Sequence, residues 1–156
     1  MKALFVCTGN TCRSLMAEYL FRREAAARGL SGWEARSCGT AAEPSFAVPA
    51  GVRKSLAERG FDRVEHQARL VDRELVRWAD LVLPMTRAHR DALRHGFPEH
   101  RHKIQLLLES AGLAAGDVAD PIGQPDHVYL QCRDIIENAV RGLIQKHAPS
   151  TTSSRP

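Results

Sequence analysis

The chain opens with a short apolar run that passes through a polar loop into a helix. Residues 3–6, Ala-Leu-Phe-Val, have the length and composition of a buried strand. A loop follows, and from Ser14, the expected N-cap, apolar residues recur at helical spacing as far as Gly29. A strand joined to a helix in this way is the unit from which parallel sheets are built. We therefore expect an α/β fold.

The same alternation continues along the chain. Further strands are expected at residues 34–37, 80–85 and 104–108. The expected helices between them run from Pro49 to Gly60, from a cap at Asp72 to Trp78, and from a cap at Thr86 to Gly96. After a loop at 112–125, a long amphipathic helix is expected, with an apolar side formed by Val128, Ile135, Ile136, Val140, Leu143 and Ile144.

Together these elements predict one domain over residues 1–147. Its fold class is α/β, a doubly wound, Rossmann-like sheet of four parallel strands with helices on both faces. Residues 148–156 are expected to form a disordered tail, because they hold almost nothing apolar to bury. Ligands of such sheets bind at the carboxyl ends of the strands, so the loops after Val6 and Leu108 are the candidate sites.

Composition narrows the classes of function. The chain has 156 residues, of which 44% are hydrophobic and 26% charged, which suits a single globular domain. No apolar run is long enough to span a membrane or serve as a signal peptide, so the cytoplasm is the expected location and no membrane partner is expected. The net charge of +4 is spread along the chain rather than gathered in a basic stripe, which argues against nucleic acid as a partner. The four cysteines are too few for a disulfide scaffold, so reduced thiols are expected.

The loop after the first strand carries the strongest chemical signal. Residues 7–14 read Cys-Thr-Gly-Asn-Thr-Cys-Arg-Ser, between a strand end and a helix start, where backbone amides and the helix dipole favour an anion. The expected phosphate-binding residues are Thr8, Gly9, Asn10, Thr11, Cys12, Arg13 and Ser14. The planar fork of Arg13 suits two phosphate oxygens, and the same positive surroundings favour a Cys7 thiolate that attacks phosphorus. The alternative is a cysteine that only fills space at a strand end.

A second signal lies in the loop before the last helix. Asp120 begins the sequence Asp-Pro-Ile-Gly, where Pro121 and Gly123 would fix a turn at the same edge of the sheet. A carboxylic acid placed there could protonate a leaving group and later deprotonate water. Taken alone, an Asp-Pro pair in a loop is more often turn chemistry.

These two motifs, with the strands and helices between them, make residues 2–147 resemble the low molecular weight protein tyrosine phosphatases. The resemblance implies a phosphocysteine intermediate on Cys7, phosphate binding by the loop amides and Arg13, and Asp120 as general acid and base. It implies no metal and no cofactor. The supporting residues that it implies are Ser14, for the thiolate, and Asn10, Ser37 and His66, for the shape of the loop.

The substrate within that family is suggested by a few positions. Thr11 is similar to the protein arginine phosphatase branch, whereas tyrosine-specific members usually carry a bulkier aliphatic residue there. Ile122 stands where an aromatic residue commonly follows Asp-Pro, and Phe46 could supply one aromatic wall. A phosphorylated protein is the expected partner, with phosphoarginine favoured over phosphotyrosine and inorganic phosphate as the product. The sequence departs from the family pattern at Leu15, which replaces a proline that often follows Arg-Ser at the helix start.

Three other hypotheses are weaker. Arsenate reductases on this fold need further cysteines near the third strand, and residues 80–96 contain none. A non-catalytic phosphate-binding module would not need Cys7, Arg13 and Asp120 together. The histidines between His95 and His102 lack acidic or cysteine partners at zinc-ligand spacing. A regulatory disulfide between Cys7 and Cys12 is a separate hypothesis, with packing of Cys12 beneath the loop as its alternative.

Overall fold

The computed structural model describes residues 1–150 and forms a parallel sheet between two layers of helices. The strands are β1 (Lys2–Cys7), β2 (Glu34–Gly39) and β3 (Leu81–Pro84). The helices are α1 (Arg13–Ala27), α2 (Ala50–Ala57), α3 (Arg73–Trp78), α4 (Arg87–Gly96), α5 (Leu107–Ser110) and α6 (Asp126–His147), with a 3₁₀ helix at Pro98–Lys103. The α/β prediction is therefore confirmed for the described part of the chain.

Strand β1 lies at the centre of the sheet. The order is β2-β1-β3, and both pairings are parallel, so Phe5 lies between Ser37 and Leu83. The pairing of β1 with β2 continues to Cys7 and Gly39, at the carboxyl ends of both strands. Parallel strands bring these ends to one edge, which is where the loops that carry polar side chains leave the sheet.

Alternate residues of β1 face the two helical layers. Ala3, Phe5 and Cys7 pack into the larger core, which α1, α2 and α6 cover. Leu4 and Val6 pack into the smaller core beneath α3 and α4. All five are almost fully buried, which explains why β1 reads as a continuous apolar run rather than an alternating one.

The prediction of a fourth strand at residues 104–108 is wrong. Ile104 makes one isolated parallel bridge to Val82, and then the chain turns into the short helix α5. Ile104 is buried in the smaller core and Leu107 in the larger one, so the segment crosses the sheet edge instead of running along it. Four apolar residues among five show no periodicity that distinguishes a strand from a buried turn and helix.

Two helix caps are confirmed and one is wrong. The side chain of Asp72 accepts a hydrogen bond from the Leu75 amide, and that of Thr86 accepts one from the His89 amide. Ser14 does not cap α1, because the N-cap position falls at Cys12 and Ser14 lies inside the first turn. Its hydroxyl hydrogen-bonds Cys7 Sγ instead.

Helix α6 buries most, but not all, of the apolar side that its sequence predicts. Ile136, Val140, Leu143 and Ile144 are fully buried, whereas the side chain of Ile135 is 48% exposed. No helix among residues 1–150 is both long and apolar enough to cross a membrane. Of the predicted disordered tail, residues 151–156 lie outside the described residues.

Candidate active site

Cys7 ends β1, and the chain then wraps around its side chain before α1 begins. The residue is almost fully buried, and so are Asn10, Thr11 and Cys12 in the loop. Asn10 has a φ of 56°, the only positive φ among the described non-glycine residues. This left-handed conformation, which asparagine tolerates better than most residues, lets the loop double back within a few residues.

A chain of hydrogen bonds ends at the Cys7 sulfur. The Ser14 hydroxyl lies 3.0 Å from Cys7 Sγ, and Asn10 Nδ2 donates to Ser14 Oγ at 2.9 Å. Asn10 Nδ2 also donates to Ser37 Oγ at 2.9 Å, and the Ser37 hydroxyl donates to a carboxylate oxygen of Glu18.

The carboxylate at the far end fixes the direction of these bonds. An ionised Glu18 can only accept, so Ser37 gives its proton to Glu18 and accepts from Asn10. Ser14 also accepts from Asn10, which leaves its own proton for Cys7 Sγ. The arrangement therefore donates a hydrogen bond to the sulfur and suits a negatively charged thiolate.

The outside of the loop is held by the connection between α2 and α3. His66 Nε2 hydrogen-bonds the Asn10 carbonyl oxygen, and the Arg69 amide donates to Asn10 Oδ1 at 3.1 Å. Arg69 Nε also donates to the Ser37 carbonyl at 3.1 Å. Ser37 and His66, which the resemblance implies as supports of the loop, both hydrogen-bond Asn10.

Glu18 and Arg69 were not predicted from the sequence. A signal for Glu18 exists, since it lies four residues after Ser14 and so on the same face of α1, and it interrupts an otherwise apolar stretch of sequence at residues 15–21. Glu18 is 8% exposed and pairs with Arg22. Arg69 lies in a segment without regular structure, and nothing local marks its side chain as a partner of β2.

The absence of a side chain at Gly39 lets the loop approach β2. A Cβ atom there would lie 2.2 Å from the Thr8 carbonyl oxygen and 3.0 Å from the Asn10 amide nitrogen. This close approach is accompanied by two backbone hydrogen bonds. The Thr40 amide donates to the Cys7 carbonyl at 2.9 Å, and the Ala41 amide donates to the Thr8 carbonyl at 3.0 Å. Only glycine fits at this point without moving the loop backbone.

Arg13 presents part of a buried guanidinium to the same space. The residue is 4% exposed, and its Nη1 donates to the Val118 carbonyl at 3.0 Å. Its Nη2 lies 3.5 Å from Asp120 Oδ2. Its Nε, however, is buried with no hydrogen-bond partner among the described residues. Because a buried donor without a partner is costly, this nitrogen indicates a site for an acceptor such as a phosphate oxygen.

A small pocket of about 40 Å³ joins these groups. It is lined by Cys7, Gly9, Thr11, Cys12, Arg13, Asp120 and Ile122. The side chain of Asp120 is 41% exposed, and its Oδ1 accepts a hydrogen bond from the Ile122 amide at 3.1 Å. A thiol, a cationic donor and a carboxylic acid thus meet in one cavity, although Asp120 lies more than a hundred residues from Cys7 in the sequence.

A wider pocket of about 430 Å³ adjoins the small one. Its lining residues are Thr8, Gly9, Thr11, Ala41, Phe46, Ala47, Asp120 and Ile122. Phe46 is 42% exposed and Ile122 59% exposed, so both lie at the rim. The three positions that the sequence marked for specificity, Thr11, Phe46 and Ile122, therefore line the same opening.

Cys12 contacts a second thiol on α6. The neighbouring Cys132 thiol, together with burial, raises the pKa of the Cys12 thiol. All four cysteines of the chain are free and buried. A thiol that stays protonated is a slow partner for a sulfenic acid. The regulatory disulfide between Cys7 and Cys12 stays a prediction.

His89 is a further residue that the sequence did not mark. It lies on α4, and its Nε2 is 2.8 Å from Thr8 Oγ1. Burial and the nearby Arg13 guanidinium lower the pKa of His89 from 6.5 to about 4. Within residues 1–150, no three His, Cys, Asp or Glu side chains cluster closely enough to hold a metal ion.

Comparison with known proteins agrees with this geometry. The model of the low molecular weight phosphotyrosine protein phosphatase family matches residues 2–151. The chain belongs to this family.

Its relatives carry two kinds of name. A protein-arginine-phosphatase of Bacillus subtilis is 38% identical over 94% of this chain and 96% of that protein. A low molecular weight protein-tyrosine-phosphatase of Streptomyces coelicolor is 35% identical over 92% of this chain and 91% of that protein. Among solved structures, the YwlE arginine phosphatase, in a Cys-to-Ser variant with a phosphorylated active-site serine, superposes with a TM-score of 0.88. It is 36% identical, covering 94% of this chain and 95% of that chain.

The role of Glu18 in orienting the Ser14 proton is testable. The Glu18→Gln variant has a neutral amide that can donate as well as accept, so the Ser37 proton is no longer fixed toward it. We expect turnover of an aryl phosphate to fall about tenfold, since a hydrogen bond to a charged group is lost. The matched control is Glu24→Gln on the same helix, where Glu24 pairs with Arg28 away from Cys7. Equal turnover in the two variants, at equal melting temperature, would contradict the role of Glu18.

Proposed function

We propose that the protein is a cysteine-dependent phosphatase that removes the phosphoryl group from phosphorylated protein side chains, with phosphoarginine as the favoured substrate. The observation that carries this proposal is the small pocket lined by Cys7, by Asp120 and by Arg13, whose buried Nε has no partner among the described residues. A pocket of this size fits a phosphoryl group and little more.

In the first step, the Cys7 thiolate attacks phosphorus. The loop amides and Arg13 Nε bind the phosphoryl oxygens, whose charge is redistributed as the new S–P bond forms. The bond from phosphorus to the side chain breaks on the opposite side, where Asp120 donates a proton to the leaving nitrogen or oxygen. A phosphocysteine remains on Cys7.

In the second step, water replaces the side chain that has left. Asp120, now ionised, takes a proton from this water as its oxygen attacks the phosphorus of phosphocysteine. The S–P bond breaks, inorganic phosphate forms, and the Cys7 thiolate is restored with a hydrogen bond from Ser14. Cys7, Arg13 and Asp120 supply the nucleophile, the anion-binding group and the proton, so the proposed reaction uses no metal or cofactor.

The preference for phosphoarginine rests on the walls of the wider pocket. Thr11 and Thr8 place hydroxyl groups there, and neither Ala41 nor Ile122 offers an aromatic face for a phenol ring. Phe46 at the rim is the one feature that favours phosphotyrosine as a second candidate. The named relatives include both arginine and tyrosine phosphatases at similar identity. We place the reaction in the cytoplasm, where four free thiols would stay reduced.

Parallel assays of the purified protein test this proposal. Matched peptides bearing phosphoarginine or phosphotyrosine are incubated at one pH without added metal, and released phosphate is measured. We expect a higher kcat/KM for phosphoarginine. The Cys7→Ser variant should release no phosphate from either peptide while still binding vanadate, because serine keeps the loop but is a far poorer nucleophile. Activity of more than a few per cent in that variant would overturn the mechanism.

The acid role of Asp120 predicts a dependence on the leaving group. Asp120→Ala should lower turnover of phosphoarginine by about 10²–10⁴-fold, because the leaving nitrogen needs a proton. The loss should be much smaller with p-nitrophenyl phosphate, whose leaving group is a weak base. Asp117→Ala is the matched control on the same loop, since Asp117 accepts a hydrogen bond from the Arg87 amide instead. Equal losses on both substrates would show that Asp120 has a structural role only.

The role of Thr11 in substrate choice predicts a shift in preference. Thr11→Ile places a larger apolar side chain at a position that is 6% exposed and lines both pockets. We expect kcat/KM for phosphoarginine to fall relative to that for phosphotyrosine. The ratio of the two values, measured on the same pair of peptides, is the readout. A Thr11→Ser variant should keep the wild-type ratio, and an unchanged ratio in Thr11→Ile would mean that Thr11 does not set specificity.

A further inference from the structure

The hydrogen bond between Thr8 and His89 connects the substrate pocket to a buried side chain on α4. Thr8 is exposed and lines the wider pocket, whereas His89 behind it is only 7% exposed. His89 Nε2 lies 2.8 Å from Thr8 Oγ1. Neither the phosphoryl-transfer steps nor the hydrogen bonds that hold the loop around Cys7 use this contact.

The imidazole of His89 is neutral at physiological pH. The groups that act on it are Arg13, which with burial lowers its pKa to about 4, and Asp117 and Asp120, which oppose this shift. A neutral imidazole has one donor and one acceptor nitrogen, and its Nδ1 has no partner among the described residues. Nε2 either donates to Thr8 Oγ1 or accepts from it. In both cases the hydroxyl oxygen keeps at least one free lone pair.

The position of Thr8 Oγ1 is fixed on two sides. The Thr8 backbone carbonyl accepts a hydrogen bond from the Ala41 amide and occupies space that a side chain at position 39 would fill. Its side chain is held by His89, whereas an exposed threonine without such a partner would sample several rotamers. Thr8 Oγ1 is therefore a preorganised acceptor at the pocket wall.

Few other acceptors are offered by the side chains around this pocket. Of its eight lining residues, only Thr8, Thr11 and Asp120 have polar side chains. Asp120 already accepts from the Ile122 amide and lies beside Arg13. A guanidinium group carries several N–H donors that need acceptors when they leave water, whereas the ring of a phosphotyrosine carries none.

We propose that His89 is a positioning residue for substrate selection, which holds Thr8 Oγ1 to accept a hydrogen bond from an N–H group of a phosphorylated guanidinium. The Thr8–His89 pair then favours phosphoarginine over phosphotyrosine independently of the space that Thr11 leaves. This inference rests on the proposed phosphatase function and deepens it.

The test compares Thr8→Val, His89→Phe and the double variant on matched phosphoarginine and phosphotyrosine peptides. The readout is the ratio of the two kcat/KM values. Each single variant should lower this ratio about tenfold, the effect of one hydrogen bond to a charged group, mainly through KM for phosphoarginine. The double variant should lower it no further, because both changes remove the same interaction. Thr8→Ser, which keeps the hydroxyl, should retain most of the wild-type ratio.

Two comparisons distinguish loss of the Thr8–His89 hydrogen bond from a general loss of stability. Leu93→Ala, one turn after His89 on α4 and in the smaller core, destabilises α4 but keeps both hydrogen-bonding groups, and it should leave the ratio unchanged. If His89→Phe does not fold, Thr8→Val still decides, because Thr8 is exposed. An unchanged ratio in Thr8→Val, or losses that multiply in the double variant, would overturn this inference. Absence of phosphoarginine turnover in the wild-type protein would instead overturn the proposed preference.

Discussion

The site depends on the way in which Asn10 is held. Its backbone takes a left-handed conformation, and every polar group of its side chain has a partner: Nδ2 donates to Ser14 and Ser37, and Oδ1 accepts from the Arg69 amide. Its carbonyl oxygen bonds to His66. One fully buried residue therefore ties the loop to α1, β2 and the connection before α3. Because each buried group left without a partner costs about 1–3 kcal/mol, the loop has little freedom to take another shape.

The sheet brings these partners within reach. Parallel pairing of β1 with β2 places Ser37 and Gly39 beside the strand that ends at Cys7. The loop that carries Asp120 reaches the same edge from the other direction, and its Val118 carbonyl accepts from Arg13 across 105 positions of sequence. The reactive groups thus lie at the end of β1, at the start of α1 and in the loop before α6, and the packing of β1 and α1 sets their spacing.

The sequence predicts those parts of the molecule that local patterns determine. The three strands, the caps at Asp72 and Thr86 and the cysteine loop follow from apolar runs and short polar motifs. The strand predicted at residues 104–108 is wrong, because over five residues a strand cannot be distinguished by composition from a buried turn followed by a helix. Ser14 is not the N-cap of α1, because its hydroxyl hydrogen-bonds Cys7 Sγ instead. This contact can be recognised only when β1 and α1 are packed together.

The residues of the site that were not predicted from the sequence share one property. Glu18, Arg69 and His89 act through partners on other elements, and His89 lies 81 positions from Thr8. Apart from the four-residue spacing of Glu18 from Ser14 on α1, no spacing rule within one helix or loop relates such pairs, so they follow only from the packed structure. The resemblance of motifs identified the groups expected to act on phosphorus, whereas the geometry identifies the groups that hold them.

The two adjoining pockets differ in how strongly folding constrains their residues. The inner one, near Cys7 and Arg13, is built from buried groups that satisfy one another, so a change there leaves several partners unpaired. The outer one is bounded by exposed residues such as Phe46 and Ile122, whose replacement costs the fold little. Folding therefore constrains the residues around Cys7 tightly, whereas the exposed residues at the rim of the wider pocket can change with little loss of stability. Thr8 connects the two regions, since its backbone carbonyl lies against Gly39 in the loop around Cys7 and its hydroxyl, hydrogen-bonded to His89, lies at the wider pocket.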